Sequence, residues 1–171
     1  MSVILLGYRG SGKTTIGKKL ADRLWLKFVD TDEMITKEAG KTIREIFEAD
    51  GEPRFRDLET AAVRKACALV DHVIALGGGA VLREENRQII KDSKLKRIYL
   101  RCDPQILFQR IASDPQTAAN RPSLTHLGGS IEEIRKLLAE REPLYREVMT
   151  SELDVTNLAP AEALVHITRL L

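Results

Sequence analysis

Apolar and polar positions along this chain fall into two alternating patterns. Short apolar runs occur at Val3-Ile4-Leu5-Leu6 and Val73-Ile74-Ala75-Leu76, and mixed ones at Lys27-Phe28-Val29-Asp30, Arg97-Ile98-Tyr99-Leu100 and Leu153-Asp154-Val155. Runs of this length read as strands. Between them, apolar residues recur at spacings of three and four, the period of a helix with one buried face. Ile16, Leu20 and Leu24 form one such stripe, and Phe55, Leu58, Ala62, Ala66 and Leu69 another. A third runs through Ile131, Ile134, Leu138, Tyr145 and Val148. Further helices are predicted over 33–39, 42–49, 83–92 and 104–112, with a last one opening at Pro160.

The helix starts carry their own signals. Thr42 with Glu45, and Ser130 with Glu133, have the spacing of a capping box. Asp103-Pro104 pairs an N-cap residue with a proline suited to the first helical turn. Asp50-Gly51-Glu52-Pro53 reads as a turn opening the next helix. Trp25 and Phe28, at a helix–strand corner, are expected in the core. The span 113–129 holds Pro115, Pro122, Gly128 and Gly129 without a clean period. It is long for a connection, and such loops often act as lids. Strands alternating with helices imply an α/β fold with a parallel sheet covered on both faces. Ligands in such folds sit beyond the carboxyl ends of the strands.

Composition narrows the field. At 171 residues, 43% hydrophobic and 30% charged, the expectation is one domain over 1–171 with an ordinary core. A net charge of +2 gives no general drive toward nucleic acid or anionic membrane. Cys67 and Cys102 show no metal-ligand spacing and read as buried apolar residues in a reduced compartment. His72, His126 and His166 show none either. No apolar stretch approaches membrane-spanning length, and the N-terminal run lacks a basic n-region. The expected setting is the cytoplasm, and the expected state a monomer.

The chemistry begins at Gly7-Tyr8-Arg9-Gly10-Ser11-Gly12-Lys13-Thr14, which matches G-x-x-x-x-G-K-[ST] between a strand and a helix, the phosphate-binding loop. Its glycines let backbone N–H groups turn toward an anion, and the helix adds the positive end of its dipole. In that setting Lys13 reaches the β- and γ-phosphates and Thr14 helps hold Mg²⁺. The second strand ends in Asp30-Thr31-Asp32. Asp30 is assigned to the metal shell through water, and Asp32 to the proton of an attacking hydroxyl. The alternative is that either merely caps the next helix.

Arg141 falls on the third apolar stripe, in the long helix that opens at Ser130, so it faces the core. It must meet an anion there, form a structural salt bridge, or run its stem to the surface. Arg56 can pair with Glu59 at i, i+3, or join Arg141 in gripping a carboxylate. Arg121, in the lid candidate, can close over a transferring phosphoryl group. Gly77-Gly78-Gly79 ends a strand, where close approach of a ligand explains three glycines better than a bare turn.

In order along the chain, the phosphate loop, Asp30-Thr31-Asp32, Phe55-Arg56, Gly77-Gly78-Gly79-Ala80, Arg121-Pro122 and Arg141-Glu142-Pro143-Leu144-Tyr145 resemble the motifs of the shikimate kinase family. The resemblance implies a three-layer α/β sandwich of the nucleoside-monophosphate-kinase type. Its five-stranded parallel sheet has order 2-3-1-4-5, with a substrate-binding insertion at about 31–60 and a lid at about 112–128. It also implies ATP-dependent phosphorylation of the 3-hydroxyl of shikimate, giving shikimate 3-phosphate and ADP in the pathway to chorismate and aromatic amino acids. Mg²⁺ would accompany ATP, and no nucleic acid or membrane is involved.

Carried onto these positions, Lys13, Asp32 and Arg121 are catalytic. Gly10, Ser11, Gly12, Lys13, Thr14, Thr15, Arg110 and Arg121 contact ATP. Asp32, Phe47, Phe55, Arg56, Gly77, Gly78, Gly79 and Arg141 contact shikimate, and Thr14 and Asp30 serve the metal. One departure is the neutral Asn157-Leu158-Ala159-Pro160, where relatives often carry a basic residue near the adenine. Two rivals share the phosphate loop: another small-molecule kinase, such as one acting on gluconate, and a nucleotide-binding regulator without catalysis.

Overall fold

Five short strands form one parallel sheet in a computed structural model of the chain, which describes residues 1–115 and 129–171. The elements are β1 (Val3–Leu6), α1 (Lys13–Leu24), β2 (Lys27–Asp30), α2 (Thr31–Ala39), α3 (Ile43–Cys67) and β3 (His72–Ala75). They continue with α4 (Glu84–Asp92), β4 (Lys96–Arg101), α5 (Pro104–Ala112), α6 (Ile131–Val148), β5 (Ser151–Asp154) and α7 (Pro160–Leu170). Strand order is β2-β3-β1-β4-β5, as the family resemblance implies. All four β1 residues are buried, as a central strand requires, whereas edge strand β5 alternates half-buried and exposed positions. The polar residues of the β5 run thus report an edge. None of the described helices is long and apolar enough to cross a membrane.

Register places the functional rim. Leu5 pairs with Ala75, and Ala75 with Asp30. The phosphate loop, the glycine run and the acidic segment therefore leave three adjacent strands at one level. Helix α3 bends at Gly51, whose φ of 81° and ψ of 167° are not helical, so the expected turn separates two helical segments and Pro53 opens the second. Thr42 caps the first with a complete capping box. Asp103 and Ser130 cap α5 and α6. Glu133 departs from the expected box, since its carboxylate accepts from the N–H of Gly129, one residue before the cap.

Trp25 corrects the expectation of a core residue, being 95% exposed. It sits at the C-cap of α1 with φ 57°, where the left-handed backbone turns the chain back toward β2 and throws the indole outward. Phe28 is half-buried and lies against Gly17, where an added Cβ would meet its ring edge at 2.6 Å. Cys102 is buried, whereas Cys67 is half-buried rather than fully enclosed.

Candidate active site

The phosphate loop takes a shape that only some residues tolerate. Gly10 and Gly12 have φ of 83° and 94°, in the region where a Cβ is strained. Lys13 folds back along the loop, its Nζ donating to the carbonyls of Gly7 at 2.7 Å and Tyr8 at 2.9 Å. The Thr14 hydroxyl donates to Asp30 Oδ2 at 2.9 Å, while Asp30 Oδ1 accepts from the N–H of Asp32 at 2.9 Å. Asp30 thus caps α2 and touches the loop at once. Burial, with Asp32 nearby, pushes its carboxyl above the usual carboxylate range. Arg110 ties the loop to the sheet end, donating to Gly10 O at 3.4 Å and Val155 O at 3.3 Å.

A second cluster lies beside this loop. Asp32 is 8% exposed, Arg141 5% and Glu59 1%. Arg56 donates to Glu59 at 2.7 Å and to Glu52 at 3.1 Å. Its guanidinium stands 5.2 Å from the centroid of the Phe55 ring, which packs on Phe47 at 4.8 Å. Burial raises the Glu59 carboxyl to about 7, against the pull of Arg56. Arg141 lies over Tyr8 at 5.5 Å, and its Nε is buried without a hydrogen-bond partner. A buried guanidinium N–H in that state is costly unless an anion completes it. Tyr145, from the next turn of α6, donates to Gly78 O at 2.6 Å and anchors the glycine run.

The glycines are explained by these neighbours. A Cβ at Gly77 would stand 2.5 Å from Asp32 Oδ1, and one at Gly79 3.0 Å from Arg56 Cζ. The run is a shelf against which the Asp32 and Arg56 side chains pack with no room for a Cβ. At Gly78 the nearest atom to such a Cβ is the backbone N of Arg9 at 3.4 Å.

Two cavities meet here. The larger, about 980 Å³, is lined by Gly10 through Ile16, Asp30 and Arg110 among others. It contains the whole set assigned to ATP except Arg121, which lies outside the described residues, as does most of the expected lid. The smaller, about 60 Å³, is lined by Asp32, Phe47, Phe55, Arg56, Glu59, Gly78, Gly79 and Arg141 among others. It contains the set assigned to shikimate except Gly77, whose N–H instead donates to Thr31 Oγ1 at 2.9 Å. Asp32 lines both cavities. Sequence reasoning missed Tyr8, Arg9, Ile43 and Glu59 as lining residues. Glu59 was visible only as an i, i+3 partner of Arg56, with nothing local to mark its burial.

The oxygen donors suit a hard cation. Among the described residues no cluster of three or more His, Cys, Asp or Glu could itself hold a metal. Mg²⁺ beside Thr14 and Asp30 would therefore draw most of its ligands from phosphate and water. The raised Asp30 carboxyl fits this, as a buried acid that a divalent cation would keep ionised.

Comparison with known proteins agrees with the geometry. The family model described as "SKI: Shikimate kinase" matches residues 9–171. A shikimate kinase of Rhodopirellula baltica is 42% identical over 165 residues, 96% of this chain and 87% of that protein. One of Oleidesulfovibrio alaskensis is 41% identical over 162 residues, 94% of this chain and 92% of its own length. The solved structure of a shikimate kinase from Acinetobacter baumannii in complex with shikimate superposes with a TM-score of 0.91 at 34% identity. That superposition covers 99% of this chain and 91% of the other.

Proposed function

The chain belongs to the shikimate kinase family, and from that premise we propose how its residues move a phosphoryl group from ATP to the 3-hydroxyl of shikimate. The triphosphate lies on the N–H groups of the loop and the N-terminus of α1. Lys13 leaves its two carbonyl partners to meet the β- and γ-phosphates. Thr14 and, through water, Asp30 would hold Mg²⁺, which would supply charge neutralisation for the phosphates. Arg110 stands at the nucleotide end of the cleft. Arg121 belongs with the phosphates by the family resemblance alone.

Shikimate occupies the smaller cavity. Its carboxylate meets Arg141, whose open Nε offers a donor, together with Arg56. Phe47 and Phe55 wall its ring, Gly78 and Gly79 give it room, and its 3-hydroxyl is directed at Asp32. The hydroxyl oxygen bonds to the γ-phosphorus as the bond to the β–γ bridging oxygen breaks. ADP leaves with that electron pair, and the hydroxyl proton passes to Asp32 and on to water. A loose phosphoryl transition state asks for positioning more than for a strong base.

The observation that carries this reading is that Asp32 borders both cavities, with the loop on one side and two arginines on the other. An ADP-release assay with shikimate, gluconate and nucleoside monophosphates tests it. Turnover with shikimate alone is expected. Turnover with gluconate alone, or none with any of these acceptors, would overturn it.

A further inference from the structure

Three described residues line both cavities: Asp32, Ile43 and Arg9. Arg9 is the cation at that boundary, and none of the motifs above gives it a role. Its backbone is held from both sides. The Tyr8 carbonyl accepts from Lys13 Nζ at 2.9 Å and from Ser11 N at 3.2 Å, and the Gly10 carbonyl from Arg110 at 3.4 Å. The backbone N of Arg9 also rests close against the Gly78 shelf. The side chain is half-buried, so part of its rotamer freedom is already lost before a ligand arrives.

Position separates Arg9 from the other two arginines of the acceptor end. Arg56 and Arg141 line the smaller cavity and not the larger. They suit the end of the acceptor far from ATP. Arg9 faces both spaces, where the phosphoryl group passes between them. That group carries negative charge past the Asp32 carboxylate, and a guanidinium there offsets the repulsion and offers a fork that matches phosphate oxygens. We propose that Arg9 is a ligand of the phosphoryl group in transit and of the phosphate on the phosphorylated product. This rests on the kinase reading above and adds a residue to it.

The distinguishing readout is affinity for product against acceptor. Calorimetric titration with shikimate and with shikimate 3-phosphate is run on the native chain, Arg9→Met and Arg9→Lys, beside the ADP-release assay. For Arg9→Met, shikimate affinity stays within about twofold while shikimate 3-phosphate weakens about tenfold or more, the loss of one charge-assisted hydrogen bond. Its kcat falls in step, and Arg9→Lys recovers part of both. Should Arg9→Met fail to fold by its melting curve, Arg9→Gln carries the same comparison. Equal weakening of the two ligands, or an unchanged product affinity, overturns the proposal. If the native chain neither binds shikimate nor releases ADP with it, the kinase reading itself has failed, and this one with it.

Discussion

Replacing Gly77 by alanine adds one carbon against Asp32, the residue to which the proposed mechanism gives the acceptor hydroxyl. Gly77 does not have a positive φ, so the backbone accepts alanine, and the effect is steric. The new Cβ would stand 2.5 Å from Asp32 Oδ1 and 3.3 Å from Glu59 Oε1. Ordinary contact begins near 3.4 Å, so Oδ1 must retreat by about 0.9 Å, the difference between those distances. A carboxylate at the end of a side chain can do this by rotating, at about 1 kcal/mol of rotamer strain. The fold therefore survives and the geometry does not. A misplacement of about 1 Å at a positioning group costs on the order of 100-fold in rate. The expected result is kcat down about 100-fold, with the KM values for ATP and shikimate moved far less and a melting temperature close to native. An ADP-release assay over both substrates, with a thermal melt, measures all of this. A kcat within threefold of native in a folded Gly77→Ala protein would refute the claim that the shelf positions Asp32.

Gly79→Ala makes the complementary change, since its Cβ would press on the Arg56 guanidinium. It raises the shikimate KM about tenfold or more while sparing that for ATP, and an unaltered shikimate KM would contradict it. Arg141→Lys keeps the charge but loses the fork and the stacking over Tyr8. Shikimate affinity falls about tenfold in calorimetry with ATP affinity intact, whereas equal losses would point to a damaged fold. Glu59 has its carboxyl at about 7 against an ordinary 4.5, so the fold favours its protonated form. That contribution is full below about 4.5 and is lost as pH rises through about 7. Native melting temperatures should decline more steeply across that window than those of Glu59→Gln, and parallel slopes would dismiss the assignment.

Much of this was legible in the sequence because local physics decides it. The apolar runs of β1 and β3, the glycines of the phosphate loop, and the caps at Thr42 and Asp103 each depend on neighbours a few residues away. Arg141 was legible as core-facing from its place in the α6 stripe, though the stripe could not say what it faces. Trp25 was misread because its exposure follows from a left-handed C-cap that no hydrophobic pattern records. Glu59 is legible only as an i, i+3 partner of Arg56, and its burial at 1% exposure, beside the Gly77 shelf, leaves no local mark in the sequence. Gly77 was placed against the ligand, yet its crowded neighbours are Asp32 and Glu59. The register of β2 on β3 brings Asp32 to Gly77 and the placement of α3 brings Glu59, and both are properties of the folded chain.

The most direct test is single-turnover phosphoryl transfer by Asp32→Asn, with saturating ATP and shikimate and both dissociation constants measured separately. If Asp32 stands between the two substrates and steers the hydroxyl, both ligands still bind within a few-fold of native. The transfer rate then falls by a factor on the order of 100 or more. Native-like transfer, or loss of either ligand with the residual rate explained by occupancy, would contradict it.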